Sequence, residues 1–231
     1  ALKLLAEWNG EMNEHLPEPL IFYSWMRRLQ KRLVQDELGV LAQEFGNFDP
    51  IFLERVFRNI DGASVWCDIV QSISKEDCDT IAELALYDAI SELKARYKVD
   101  ITSMRWGDAH IAMHDHLTLG HIPFLNLLLN LRQSVSGGDY TLQRGLSSGN
   151  EYNPFENVHA AVYRGVYDFS DPDSSLYIIS TGQSGHLLSR HYDDLGQLWR
   201  RGEYISMSLD PELAKAASNG TTKIIPASNL Q

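Results

Sequence analysis

The sequence predicts an α+β protein, on two observations. Apolar residues recur at helical spacing through the first hundred positions, and short apolar or alternating runs bounded by Gly, Pro, Ser and Asp follow Ile101. Such segregation favours helices packed against an antiparallel sheet. A mainly helical segment over 1–100 and a strand-rich segment over 101–231 are expected to form one structural unit. At 231 residues the chain is long enough to bury a substantial core.

In the helical half, residues 20–38 predict an amphipathic helix, because Leu20, Ile21, Trp25, Leu29, Leu33 and Val34 recur three and four apart. Pro17 and Pro19 set its start. Arg27, Arg28, Lys31 and Arg32 form its outer face, which reads as solvated because Asp36 and Glu37 close it. Short helical turns are expected near 52–57. The run Val65-Trp66-Cys67-Asp68-Ile69-Val70 reads as strand-like, with Cys67 a buried free thiol. Two cysteines are too few for a disulfide framework; Cys67 and Cys78 could pair only if the intervening loop doubles back. A second helix is expected from Ser74, where Ser74-Lys75-Glu76-Asp77 is close to a capping box. Ile81, Leu84, Ala85, Ala89 and Leu93 supply its apolar stripe.

In the second half, strands are expected at 102–106 and 160–169, with a hairpin partner at 176–180 and a further strand at 204–208. A short buried helix or turn is expected at 123–131, a Gly-Ser turn at 134–139 and a long polar loop at 145–154. Asp210-Pro211-Glu212 starts a last helix, with Asp as cap and Pro at its first position. Residues 222–225 are expected to close a sheet before the tail, 226–231.

A formal net charge of −11 argues against nucleic acid or an anionic membrane as partner. No apolar run spans a bilayer; the longest, 122–131, contains Pro123 and Asn126. Ala1 opens no signal peptide, and an upstream signal would lie on another part of the protein.

Chemistry concentrates at residues 181–199, after the strand-like Leu176-Tyr177-Ile178-Ile179. This stretch holds Gly182, Gln183, Ser184, Gly185, His186, His191, Tyr192, Asp193 and Asp194. A nucleophile elbow needs Gly-x-Ser-x-Gly, and here the second Gly comes one place early, so Ser184 reads as part of a hydrogen-bonded turn. His191, Tyr192 and Asp194 offer an acid–base set. With Gln183 and Ser184, they read instead as supports that fix a loop and shape a cleft. His110 and His114, four apart, suit one helix face, with His116 and His121 near; a metal-dependent hydrolase is the alternative these suggest. The sequence His-Ile-Ala-Met-His lacks the Glu base of a zincin, so interface histidines are the simpler reading. Asp139, after Gly137-Gly138, can clamp a turn. Trp106, Tyr140, Tyr152, Phe155 and Tyr163 can be core or line a pocket. A non-catalytic interaction module remains a third reading.

Five strings, in order, resemble the penicillin amidase family of N-terminal-nucleophile hydrolases. They are Leu4-Leu5 with Trp8-Asn9-Gly10 and Met12; Trp106-Gly107 with His110, His114 and His116; Gly137-Gly138-Asp139-Tyr140-Thr141; Val162-Tyr163-Arg164 with Asp168; and Gly182-Gln183-Ser184-Gly185, Ser189-Arg190-His191-Tyr192-Asp193-Asp194, Trp199 and Gly202-Glu203-Tyr204. Departures are Asn9 for Asp, Leu142-Gln143 for Val-Asn, and Leu195 for Gln. The resemblance implies part of a four-layer α/β/β/α sandwich and hydrolysis of an amide between an acyl group and an amine, as in penicillins or acyl-homoserine lactones. It implies a periplasmic location. Family members use a freed N-terminal Ser or related residue, whereas this chain starts Ala1-Leu2-Lys3. The expectation is a C-terminal fragment of the large subunit, inactive alone, with no catalytic residue and no metal ligand. Its partners would be the rest of that subunit, the small subunit and a small-molecule amide, with self-association of the fragment. No cofactor is expected in this chain; calcium in the intact enzyme would have its ligands elsewhere.

Overall fold

The computed structural model describes residues 1–218 and 220–226, and the chain divides into two units, Ala1–Ala161 and Val162–Gln231. In the first, α1 (Leu2–Glu7) leads to α2 (Glu18–Leu38), whose Pro19 lies in the first turn and whose Gly39 ends the helix with φ +53°. Leu20, Ile21, Leu29, Leu33 and Val34 are buried, as their spacing predicts. α3 (Pro50–Phe57) is capped by the Asp49 carboxylate, which accepts the N–H groups of Ile51 and Phe52. A 3-10 helix, Ile60–Cys67, follows. α4 (Cys78–Tyr97) then packs along α2. The basic face of α2 is not simply solvated: Arg28 pairs with Glu92 and Arg32 with Asp88 of α4, both at 2.7 Å.

Cys67 is not a free thiol. It is bonded to Cys78, with the Cα atoms 5.0 Å apart. The expected strand around it is absent: Ile60–Cys67 is a 3-10 helix, kinked by left-handed residues at Asp61 and Gly62, and turns and bends follow it. The loop doubles back and delivers Cys67 to the first residue of α4. That helix starts later than Ser74, since Asp77 caps it through the Thr80 N–H (2.8 Å), while the Ser74 hydroxyl turns to Glu76 (3.5 Å).

Strands begin after residue 110. The one expected at 102–106 is replaced by a 3-10 helix, Ile101–Ser103, because Asp100 accepts both the N–H and the hydroxyl of Thr102 (2.9 and 2.6 Å). α5 (Trp106–Ala109), β1 (Ile111–His114), α6 (Asn126–Leu129), β2 (Leu131–Ser134), β3 (Gly145–Ser147) and β4 (Asn157–Ala160) follow. They form a sheet of order β2-β1-β4-β3, antiparallel except for the β1–β4 pairing. β3 lies inside the expected 145–154 loop. α6 buries Leu129 but leaves Leu127 and Leu128 exposed. The core of this unit joins Leu20, Ile21, Leu33, Ile81, Leu93, Met104, Trp106 and Phe155, each contributing roughly 2 kcal/mol by burial. Trp106 and Phe155 are therefore core, while Tyr140 and Tyr152 are exposed.

The second unit holds β5 (Tyr163–Val166), β6 (Leu176–Ile179), α7 (Gly196–Arg200), β7 (Ile205–Ser206) and α8 (Pro211–Ala217). Its sheet, β5-β6-β7, is antiparallel. Asp210 caps α8 through the Glu212 N–H (2.8 Å), as predicted. The strand expected at 222–225 does not form, and the tail expected from 226 lies outside the described residues after Pro226. No helix of the described residues is long and apolar enough to cross a membrane.

Candidate functional site

In the second unit, β6 ends at Ile179 and the chain turns through residues 181–195 into α7. Two backbone bonds close this loop: Leu195 N–H to the Thr181 carbonyl (3.1 Å) and Ser184 N–H to the His191 carbonyl (2.9 Å). Gly182 sits where the crossing is tightest. A Cβ there would strike the His191 carbonyl and come within 2.7 Å of Asp194 Oδ1. Only glycine fits without displacing backbone.

The His191 ring is held from both sides. Arg190 donates from Nε to His191 Nε2 (2.9 Å), and His191 Nδ1 lies 2.6 Å from Asp194 Oδ2. A guanidinium can only donate, so Nε2 accepts and Nδ1 carries the proton toward the carboxylate. The ring nitrogen that a serine would need is therefore occupied. Ser184 Oγ accepts the N–H of His186 (3.1 Å), and His186 Nδ1 accepts that of Leu188 (3.1 Å). Ser184 and His191 thus meet through their backbones, in the turn that the sequence suggests. Gln183 is exposed, and Tyr192 is half-buried. Burial, then the Asp193 charge, pushes the Tyr192 phenol up. Burial, then Asp194, does the same to the Asp193 carboxyl.

The loop is anchored by Trp199, which is buried. The Arg164 guanidinium of β5 lies over its ring, 5.1 Å from the centroid, and donates to its carbonyl. Past α7, Gly202 takes φ +74° and donates to the Trp199 carbonyl (3.1 Å), ending the helix.

A second polar constellation lies in the first unit, where three of the five sequence strings converge. Gly137 N–H donates to the Met12 carbonyl (2.7 Å), and the Trp106 indole donates to the Gly137 carbonyl (2.8 Å). Gly107 N–H donates to the Glu14 carbonyl (2.9 Å), and Glu14 N–H to the Ser136 hydroxyl (3.0 Å). Asp139 is buried beside them. Its carboxylate takes the Ser147 N–H (2.5 Å) and the Tyr23 hydroxyl, and its N–H donates to that hydroxyl (3.2 Å). Burial raises the Asp139 carboxyl despite these bonds, and burial with Asp139 nearby raises the Tyr23 phenol. Asp139 is the turn clamp that its sequence position suggests. Its partner Tyr23 went unpredicted, although its place on the buried face of α2 was a usable signal.

The four histidines do not share a helix face. His110 is at the C-terminal end of α5, His114 ends strand β1, and His116 and His121 lie in the loop beyond. His110 is fully buried, with Nδ1 2.7 Å from the Phe155 carbonyl; burial pushes it down to about 4. Burial, then Arg132, lowers His114. His116 Nδ1 accepts the Leu119 N–H (3.1 Å). Among the described residues no group of three or more His, Cys, Asp or Glu is placed to hold a metal ion.

Comparison with known proteins supplies the context. The family model described as penicillin amidase matches residues 1–216. Penicillin acylase 2 proenzyme of Pseudomonas sp. (strain SE83) is 25% identical over 230 residues, covering 96% of this chain and 28% of its own length. Acyl-homoserine lactone acylase QuiP of Pseudomonas syringae pv. tomato is 25% identical over 226 residues, covering 92% of this chain and 26% of its own. A thermostable penicillin G acylase from Alcaligenes faecalis has the same fold, with a TM-score of 0.53 at 14% identity over 97% of this chain and 42% of its own. The chain therefore spans about a quarter of the length of these curated relatives.

Proposed function

The chain belongs to the penicillin amidase family, and from that membership we propose that it is part of an acylase hydrolysing the amide bond between an acyl group and an amine. Penicillins and acyl-homoserine lactones are the substrate classes that the relatives' names suggest. The reacting nucleophile belongs to another part of the enzyme, and this chain supplies framework and a positioned loop. The observation that carries this division is how the family-like strings are used. Trp106 and Met12 are bonded to Gly137, Arg164 to Trp199, and His191 to Asp194 and Arg190, so their polar atoms hold one another. The Ser184 hydroxyl is likewise engaged locally, accepting the His186 N–H in a turn.

The partners in this reading are the rest of the large subunit and the small subunit. Any calcium of the intact enzyme is held by those parts, and this chain holds no cofactor. A periplasmic location is supported by the Cys67–Cys78 bond, because disulfides persist in oxidising compartments.

The test is hydrolysis of chromogenic phenylacetyl and long-chain acyl amides by the purified chain and by the complete polypeptide. Turnover is expected from the complete polypeptide alone, and Ser184→Ala in it should keep activity within about twofold. Turnover by the 231-residue chain alone, abolished by Ser184→Ala, would overturn the division of roles.

A further inference from the structure

Residues 115–130 join β1 to β2, and their tip is strongly apolar. Leu117 is 90%, Phe124 82%, Leu127 79% and Leu128 60% exposed, with Ile122 and Leu125 exposed beside them. From His116 to Leu131 there is no Asp, Glu, Lys or Arg, in a chain of net charge −11. Scattered exposed leucines need no explanation, but these six exposed apolar residues in one uncharged stretch of 16 point to a contact surface.

The tip stands on a built base. His116 N–H donates to Asn130 Oδ1 (3.0 Å), Asn130 Nδ2 to the Gly120 carbonyl (3.0 Å), and Gly120 N–H to the His116 carbonyl (2.8 Å). Asp115 and Arg132 pair across the stem at 2.5 Å. Phe124 adopts φ +69°, a left-handed conformation that disfavours a bulky side chain. The fold thus holds an exposed phenylalanine in a disfavoured conformation on a fixed platform.

What covers it is indicated by length. This chain is matched almost end to end by relatives of which it spans 28% and 26%, and by a solved chain of which it spans 42%. We propose that the tip at 117–128 is a docking surface, covered in the complete enzyme by an apolar segment of the same polypeptide from outside these 231 residues. The proposal rests on the acylase-family reading above. The absence of basic residues and the overall acidity oppose an anionic lipid surface as the occupant.

The experiment places a photo-crosslinking benzoylphenylalanine at Phe124, and separately at Leu127, in the complete polypeptide, with exposed Leu142 as the control position. Cross-linked peptides are identified by mass spectrometry, and amide hydrolysis is measured on the same preparations. The expected result is intramolecular cross-links from 124 and 127, but not 142, to residues outside the 231. Cross-links to a second copy of this chain, or none in a preparation that hydrolyses amides, would overturn the docking proposal alone. Intramolecular cross-links in a preparation without amide hydrolysis would leave it standing and remove the acylase reading instead.

Discussion

The imidazole of His110 lies flat against the indole of Trp106, with ring centroids 4.4 Å apart and planes 14° from parallel. Its Nδ1 is bound to the Phe155 carbonyl, and burial holds it at about 4. An unfolded chain protonates this side chain near 6.5. As pH falls from about 6.5 to about 4 only the unfolded state gains that proton, so stability drops by roughly 3 kcal/mol and then levels off. His110→Phe keeps an aromatic ring against Trp106 and removes the proton site. Urea unfolding at pH 7 and pH 4.5 should show a smaller acid loss in the variant; equal losses would refute the assignment.

Asp139 tests the convergence in the first unit. Asp139→Ala deprives the Ser147 N–H and the Tyr23 hydroxyl of their acceptor and should cost about 3 kcal/mol in denaturant unfolding. Because burial raises the folded carboxyl, its charge lowers stability as pH climbs through its folded value. Asp139→Asn keeps one acceptor oxygen without the charge, so its loss at pH 7 should be clearly smaller than that of the alanine variant.

The Cys67–Cys78 bond closes a loop between residues 11 apart in sequence. Chain-entropy arguments put its contribution near 3 kcal/mol. The double variant Cys67→Ser/Cys78→Ser should unfold at lower temperature by that equivalent, and reductant should shift the parent but not the variant.

Gly182→Ala should disturb only the second unit's loop. The new methyl meets the His191 carbonyl and the Asp194 carboxylate, an overpacking cost of about 1–3 kcal/mol. Hydrogen exchange at the Ser184 and Leu195 amides, which close the loop, should accelerate while the α2 amides stay protected. Unchanged exchange at both amides would show that the crossing is looser than described.

Where sequence expectation and structure agree, many weak signals point one way. α2 is legible because five buried aliphatics recur at helical spacing, and α8 because Asp210 and Pro211 mark its start. Where they part, a single side chain or a remote partner decides. Thr102 has strand propensity, but Asp100 captures it. Gly145-Leu146-Ser147 has no strand pattern of its own and becomes β3 by pairing with β4. In the loop after β6, His191 and Asp194, grouped in the sequence as candidate loop supports, are in contact, whereas the capping of Nε2 by Arg190 has no sequence signal. The sequence leaves the disulfide open, because the loop that doubles back between Cys67 and Cys78 is held by a side-chain contact, Ile69 N–H to Glu76 Oε2 (3.1 Å), that has no periodic trace.

The meeting of Met12, Glu14, Ser136 and Gly137 also sets a timetable for biosynthesis. The Glu14–Ser136 bond joins residues 122 apart, and the Tyr23–Asp139 bond residues 116 apart. Neither can form until nearly all of the first unit has left the ribosome. Pairing over such distances favours slow, late consolidation. During translation α2 must wait with its buried face unmatched on that side, which makes this stage the one at which a chaperone would matter most.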